Sequence, residues 1–214
     1  MPRALGKVIL VTTSHVAEES LRKVEKAMER ERPDCVGVEL DPARFLALKS
    51  RGSSPPLSKV GLGGYLVFWI MKSLQEWFGK RAGIMPGSEM LKAIELSREK
   101  GIKWFFLDRP IQDTFLAIKG ISAREKLKLV WILVKGVTVA SVGGVDLKKV
   151  PEDQIIREAM SFLEKELPGF YRVLVEERDR HMAHQLLHLR QEFKKVMAVV
   201  GAGHREGIIK MLSK

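Results

Sequence analysis

The sequence holds one cysteine, Cys35, and no asparagine in 214 residues. A single cysteine excludes an intramolecular disulfide. Its setting, "DCVGVEL", suits a small apolar residue in a strand better than a reactive thiol. Missing asparagine beside plentiful Lys, Arg and Glu points to a thermophilic source. The chain also lacks a long basic tract. Its 37 Lys and Arg outnumber 26 Asp and Glu, for a net charge of +11, yet the cations are scattered among acids. That pattern excludes the basic stripe of a nucleic-acid binder, so no nucleic-acid partner is expected. No signal peptide is legible: the apolar part of "MPRALGKVILVTT" is too short and reads as a strand. A cytoplasmic protein is expected. No serine sits in a nucleophile-elbow context, and "GLGG" (61–64) lacks the preceding strand and following lysine of a phosphate loop.

What the chain does contain is apolar residue. Hydrophobic residues make up 45%, enough for one sizeable core, and a single domain over residues 1–214 is expected. Two segments are very apolar, 61–79 ("GLGGYLVFWIMKSLQEWFG") and 127–145 ("LKLVWILVKGVTVASVGGV"). Both carry too many charged or polar residues for a membrane span, which needs about 20 apolar residues. They read as helices with a wide apolar face. Such faces are hidden in a homodimer or against a membrane surface, and those are the expected associations.

Strands and helices alternate. "KVILVTT" reads as a strand buried on both faces, "CVGVEL" as a second buried strand, and "IKWFFLD" and "VMAVVG" as a third and a fourth. Between them lie helical patterns: "EESLRKVEKAMERE", "DPARFLALKS" with Asp41 as N-cap and Pro42 at the first helical position, and "SEMLKAIELSREKG". "SAREKLKLVWILVK" opens with Ser122 and Glu125 at capping-box spacing, and "PEDQIIREAMSFLEKEL" and "RVLVEERDRHMAHQLLHLRQEF" follow. The expected fold is α/β, with a mainly parallel central sheet flanked by helices and the two apolar helical segments on the periphery.

In such sheets ligands bind beyond the carboxyl ends of the strands. Those ends carry His15, Glu39, Asp108 with Arg109, and His204 after "VVGAG". If the strands are parallel neighbours, two imidazoles and a carboxylate converge. They can hold a divalent transition metal and leave positions open for water or substrate. The structural alternative, a histidine that only closes a strand with a satisfied hydrogen bond, stands equally open. "HMAHQLLH" is a rival site. On a helical wheel, however, Val175, Met182, Leu186, Leu189 and Phe193 form the buried stripe. His184, His188 and Glu177 fall opposite it, on the solvated side, while Arg178 and Asp179 flank the stripe. Glu89, in the first turn after "MPG", is already favoured there by the helix dipole.

Six ordered stretches carry a resemblance: "VTTSHVAEES", "RPDCVGVELDPARF", "MPGSEMLKAIE", "FLDRPIQDTF", "LVEERDRHMA" and "VVGAGHREGI". Together they resemble the TraB/PrgY family, associated with shutdown of peptide sex pheromones in bacteria and widespread in archaea. That family is similar to the Tiki metalloproteases and, more distantly, to erythromycin esterases and ChaN-like proteins. The resemblance implies paired Gly-x-x-His motifs and acids around one site. The second motif matches as Gly201 and His204. The first keeps His15 but has Thr12 where glycine is usual. The implied metal ligands are His15, Glu39 and His204, with Mn, Co or Zn as the ion. The other implied site residues are Glu89, Asp108, Arg109, Glu177, Arg178 and Asp179. The implied activity is a metal-dependent, peptidase-like hydrolase acting on a peptide. The alternative is a non-catalytic peptide-binding or membrane-peripheral module.

Overall fold

The computed structural model describes residues 7–13, 17–49, 87–141 and 152–213. His15, the "GLGG" stretch and the first apolar segment lie outside the described residues, as does the end of the second. Four strands form one sheet: β1 (Lys7–Thr13), β2 (Cys35–Val38), β3 (Lys103–Phe106) and β4 (Lys195–Gly201). The spatial order is β1-β4-β2-β3, and every pairing is parallel. The α/β expectation is met. The last strand of the chain therefore sits at the centre, between the first two.

Two layers of helix cover the sheet. On one face, Val24, Ala27 and Met28 of α1 (Ala17–Glu31) meet Val36, Val38, Met197 and Val199. Met90, Ala93 and Ile94 of α3 (Ser88–Glu99) join the same cluster. On the other face, Met182, Leu186 and Leu189 of α8 (Glu177–Glu192) and Ile208 of α9 (Arg205–Leu212) meet Val196, Ala198 and Val200. Alternate residues of β4 thus feed opposite cores, as the two-residue period of a strand requires. Each fully buried Val, Leu, Ile or Met contributes about 1.5–3 kcal/mol. The continuous apolar run "VMAVV" is what lets β4 occupy the middle.

β1 departs from its expected place. It is an edge strand, with Val8, Ile9 and Leu10 only half buried. Its unbroken β-branched run resembles that of a central strand, and strand order is invisible in such a run. Cys35 is buried in β2, and burial pushes its thiol up to about 12, with Asp34 and Glu192 adding to the effect.

Adjacent β1 and β4 send their following helices to opposite faces, α1 to the first core and α9 to the second. A crevice opens where neighbouring connections diverge in this way. The short helix α2 (Pro42–Lys49) leaves β2 at the same end. Asp41 caps it, accepting from the Ala43 N–H at 2.9 Å. Farther out lie α4 (Ile111–Lys119), α5 (Ala123–Ser141), α6 (Glu152–Glu166) and α7 (Pro168–Tyr171). They enclose a third apolar cluster around Ile118, Ile121, Leu167, Phe170 and Val173.

Ser122 caps α5, accepting from the Glu125 N–H at 3.2 Å. Glu125 does not close the expected box. Its carboxylate accepts from the N–H groups of Gly169 at 2.6 Å and Phe170 at 3.1 Å, and so caps α7. Between α7 and α8 the backbone is π-helical over Arg172–Glu176. Among the described residues no helix is long and apolar enough to cross a membrane.

Candidate functional site

The parallel register carries three loops to one end of the sheet. Val38 ends β2 opposite Val199 of β4 and Phe106 of β3. Glu39, Asp108 and His204 follow those strands directly and meet. Glu39 turns one oxygen onto the backbone N–H of Gly201 at 2.7 Å. A Cβ at residue 201 would press on that oxygen at 3.3 Å, so glycine keeps the approach open. The other oxygen, Oε1, faces His204 Nε2 at 3.2 Å. On the far side of the ring, His204 Nδ1 and Asp179 Oδ1 are 2.6 Å apart.

Asp179 reaches His204 from α8, across the second core. The approach depends on Gly207, where a Cβ would collide with Asp179 Oδ2. Arg178, the neighbour of Asp179, points along the same end of the sheet. Its Nε and Nη2 bond Asp108 at 2.7–3.2 Å, its Nη2 also bonds Glu39 Oε1, and its Nη1 donates to the Leu174 carbonyl at 3.3 Å. Two buried acids therefore share one cation, the arrangement that makes their burial tolerable.

Arg109 extends the cluster sideways. Its backbone N–H donates to Asp108 at 2.9 Å. Its guanidinium spends every nitrogen: on Thr114 Oγ1 at 3.0 Å, Glu177 Oε2 at 2.6 Å and the Val173 carbonyl at 3.2 Å. Glu177 is thus half-buried in an ion pair and not free in solvent as the wheel suggests. The π-helical stretch just before it breaks the regular hundred-degree step that the wheel assumes.

Glu89 stands apart from this cluster. It is buried at the end of β1, with Oε1 3.4 Å from the Thr13 hydroxyl and Oε2 accepting from the Gly87 N–H at 3.2 Å. Among the described residues it is the one acid of the expected set that pairs with no cation.

Arg44 is the member that sequence reasoning missed. Its Nη1 donates to Asp108 Oδ2 at 2.8 Å. The signal was present in "ELDPAR": Asp41 and Pro42 start α2, and its first turn brings Arg44 back over the strand ends. His181, in the same stretch as His184 and His188, lies close enough to Asp108 and Arg109 for both to act on it. Burial holds its pKa below the ordinary value of 6.5.

Charge explains the protonation states. Burial alone would lower the His204 pKa, but Glu39 and Asp179 overcome that and raise it to about 9. Burial would raise Glu39, yet His204 and Arg178 hold it well below the usual carboxylate range. Around the strand ends, Glu39, Asp108, Asp179 and Glu177 face Arg178, Arg109, Arg44 and His204.

The outer face of α8 contrasts with this. His184 and His188 are exposed there, with ring centroids 4.4 Å apart in an edge-to-face pair. Among the described residues no three His, Cys, Asp or Glu side chains form a group able to hold a metal ion.

Known proteins resemble this chain along nearly its whole length. An uncharacterized protein of Methanocaldococcus jannaschii is 34% identical over 97% of this chain and 53% of its own length. TraB domain-containing proteins of Bos taurus and Homo sapiens are 27% and 26% identical over 96% of this chain and 62% of their own. The chain spans between half and two thirds of the length of these relatives. Residues 4–214 match the TraB/PrgY/gumN family, and the chain belongs to that family.

Proposed function

We propose that this protein is a metal-dependent, peptidase-like hydrolase whose site is the carboxyl end of the sheet. The observation that carries the reading is the orientation of His204. Asp179 holds Nδ1 and leaves Nε2 directed at Glu39 Oε1, 3.2 Å away. A carboxylate on the far nitrogen is how metal-binding imidazoles are commonly fixed. Two donors at about 2.0–2.2 Å from a tetrahedral ion stand roughly 3.3 Å apart. The donor pair therefore fits a divalent transition ion, Mn, Co or Zn, with His15 as the third ligand. An ion held by these residues would supply Lewis-acid chemistry toward a carbonyl and a water.

The remaining roles follow from which groups are already engaged. Glu39, Asp108 and Glu177 are tied to arginines, and Asp179 to His204. Glu89 has no such cation, and its carboxylate is held by Thr13 and Gly87. It is the general base in this reading, taking the proton of the attacking water. Arg178 helps keep Glu39 ionised and holds Glu39 and Asp108 in place. Arg109 ties the start of α8 to the strand end through Glu177. The protein associates as a homodimer through α5, where Leu127 and Trp131 are 70% and 57% exposed.

A second reading has its own observation. Arg178 occupies the same Glu39 oxygen that faces His204, and with His204 protonated the cluster is complete as ion pairs. This favours a peptide-binding module without turnover. The test is digestion of a broad peptide library by protein loaded with Mn, Co or Zn, beside Glu89→Gln. Cleavage that the variant loses supports the hydrolase. Peptides bound and recovered intact, with no cleavage under any metal, overturn it in favour of the binding module.

A further inference from the structure

Three arginines stand at the carboxyl end of the sheet, and they differ in what they have left to give. Arg109 has all three guanidinium nitrogens engaged and is 13% exposed in its side chain. Arg178 likewise has all three engaged and is 16% exposed. Of five N–H donors each, Arg178 has one left and Arg109 two among the described residues, on side chains only 16% and 13% exposed. Among the described residues Arg44 spends one nitrogen only. Its Nη1 holds Asp108 Oδ2 at 2.8 Å, its side chain is 33% exposed, and its Nε and Nη2 have no partner among the described residues.

We propose that Arg44 is the specificity-determining residue of this crevice and binds the free C-terminal carboxylate of a short peptide. A guanidinium with an unspent edge is the matched partner of a planar carboxylate, which it takes through two parallel hydrogen bonds. The guanidinium is preorganised, because its anchor Asp108 is itself fixed by Arg178 and by the Arg109 N–H. Holding one nitrogen on a buried acid removes much of the rotamer freedom that an arginine otherwise loses on binding.

Position sets the length of the substrate. Three successive hydrogen bonds lead from Arg44 through Asp108 and Arg178 to Glu39. Roughly two extended residues, at about 3.3–3.6 Å each, cover that span. A peptide anchored at Arg44 by its terminal carboxylate therefore lays its last one or two peptide bonds beside Glu39 and His204. This assignment rests on the peptidase-like reading and narrows it to cleavage near a free C-terminus.

The experiment measures binding and cleavage separately. N-acetyl-trileucine and its C-terminal amide are titrated into the metal-loaded protein by calorimetry, and the same pair is then assayed for hydrolysis. The free acid is expected to bind about tenfold or more tightly than the amide, the scale of a charge-assisted pair. Arg44→Met abolishes the preference. Arg44→Lys, which keeps the charge and the reach to Asp108, keeps only part of it. Equal binding of acid and amide, or no binding of either, overturns the assignment even if both variants fail to fold. An acid preference that survives Arg44→Met also overturns it. Acid-selective binding that Arg44→Met loses, without hydrolysis, upholds Arg44 and removes the hydrolase. Hydrolysis of both forms at equal kcat/KM does the reverse.

Discussion

The two faces of α8 use charged and titratable residues in opposite ways. On the inner face, Asp179 is buried and Arg178 partly so, and each reaches across to another strand end. On the outer face, His184 and His188 touch each other and solvent. A count of histidines favours the outer face, where "HMAHQLLH" sets three in eight residues. On the inner side His204, among the described residues, is the imidazole with carboxylates on both ring nitrogens. Burial makes the difference. A buried imidazole must be compensated, and the groups that compensate it also fix its orientation and charge.

Breaking the inner face should have the largest effect. Arg178→Met removes the cation shared by Glu39 and Asp108 and leaves Glu39 to His204 and Asp108 to the half-buried Arg44. Such a loss costs about 3–5 kcal/mol, read as a lower urea midpoint. An unchanged midpoint would mean that the acids are not buried in solution. Gly207→Ala tests the same face from α9. Alanine is the better helix former by about 1 kcal/mol, but its methyl collides with Asp179 Oδ2. Net destabilisation of about 1–3 kcal/mol is expected, with the His204 titration moving back toward its ordinary value of 6.5. Imidazole NMR titration checks the second part.

Solution pH sharpens the comparison further. The His204 pKa is raised from 6.5 to about 9 in the folded metal-free protein. Its stabilisation is therefore complete below pH 6.5 and is lost as the pH rises through 9. Glu39 is lowered from 4.5, so its contribution is present above pH 4.5 and is lost as the pH falls through its lower folded value. Urea midpoints of the metal-free protein should fall between pH 6.5 and 9. The smallest effect belongs to the outer face. His184→Ala/His188→Ala should leave the midpoint nearly unchanged, because neither ring contacts a carboxylate among the described residues.

Much of the fold was legible because the relevant patterns are local. "CVGV" and "VMAVV" are apolar throughout and could only be buried strands. The convergence of Glu39, Asp108 and His204 followed from the parallel-sheet rule once those strands were assigned. Strand order was not legible. Nothing in the sequence of β4 says that it inserts between β1 and β2, and that insertion is what sets His204 beside Glu39. Nor could the wheel reveal the π-helical turn that swings Glu177 onto Arg109. Arg44 escaped because a charged residue in the first turn of a short helix is ordinarily read as solvated surface.

Divalent-metal titration of the His184→Ala/His188→Ala protein, with and without His204→Ala, tests the central claim most directly. The outer pair is removed first so that an exposed chelate cannot imitate the inner site. One Mn, Co or Zn ion bound per chain, and lost when His204 is replaced, is the predicted result. Metal binding that survives the loss of His204, or no binding under any loading condition, would contradict a metal centre at the end of this sheet.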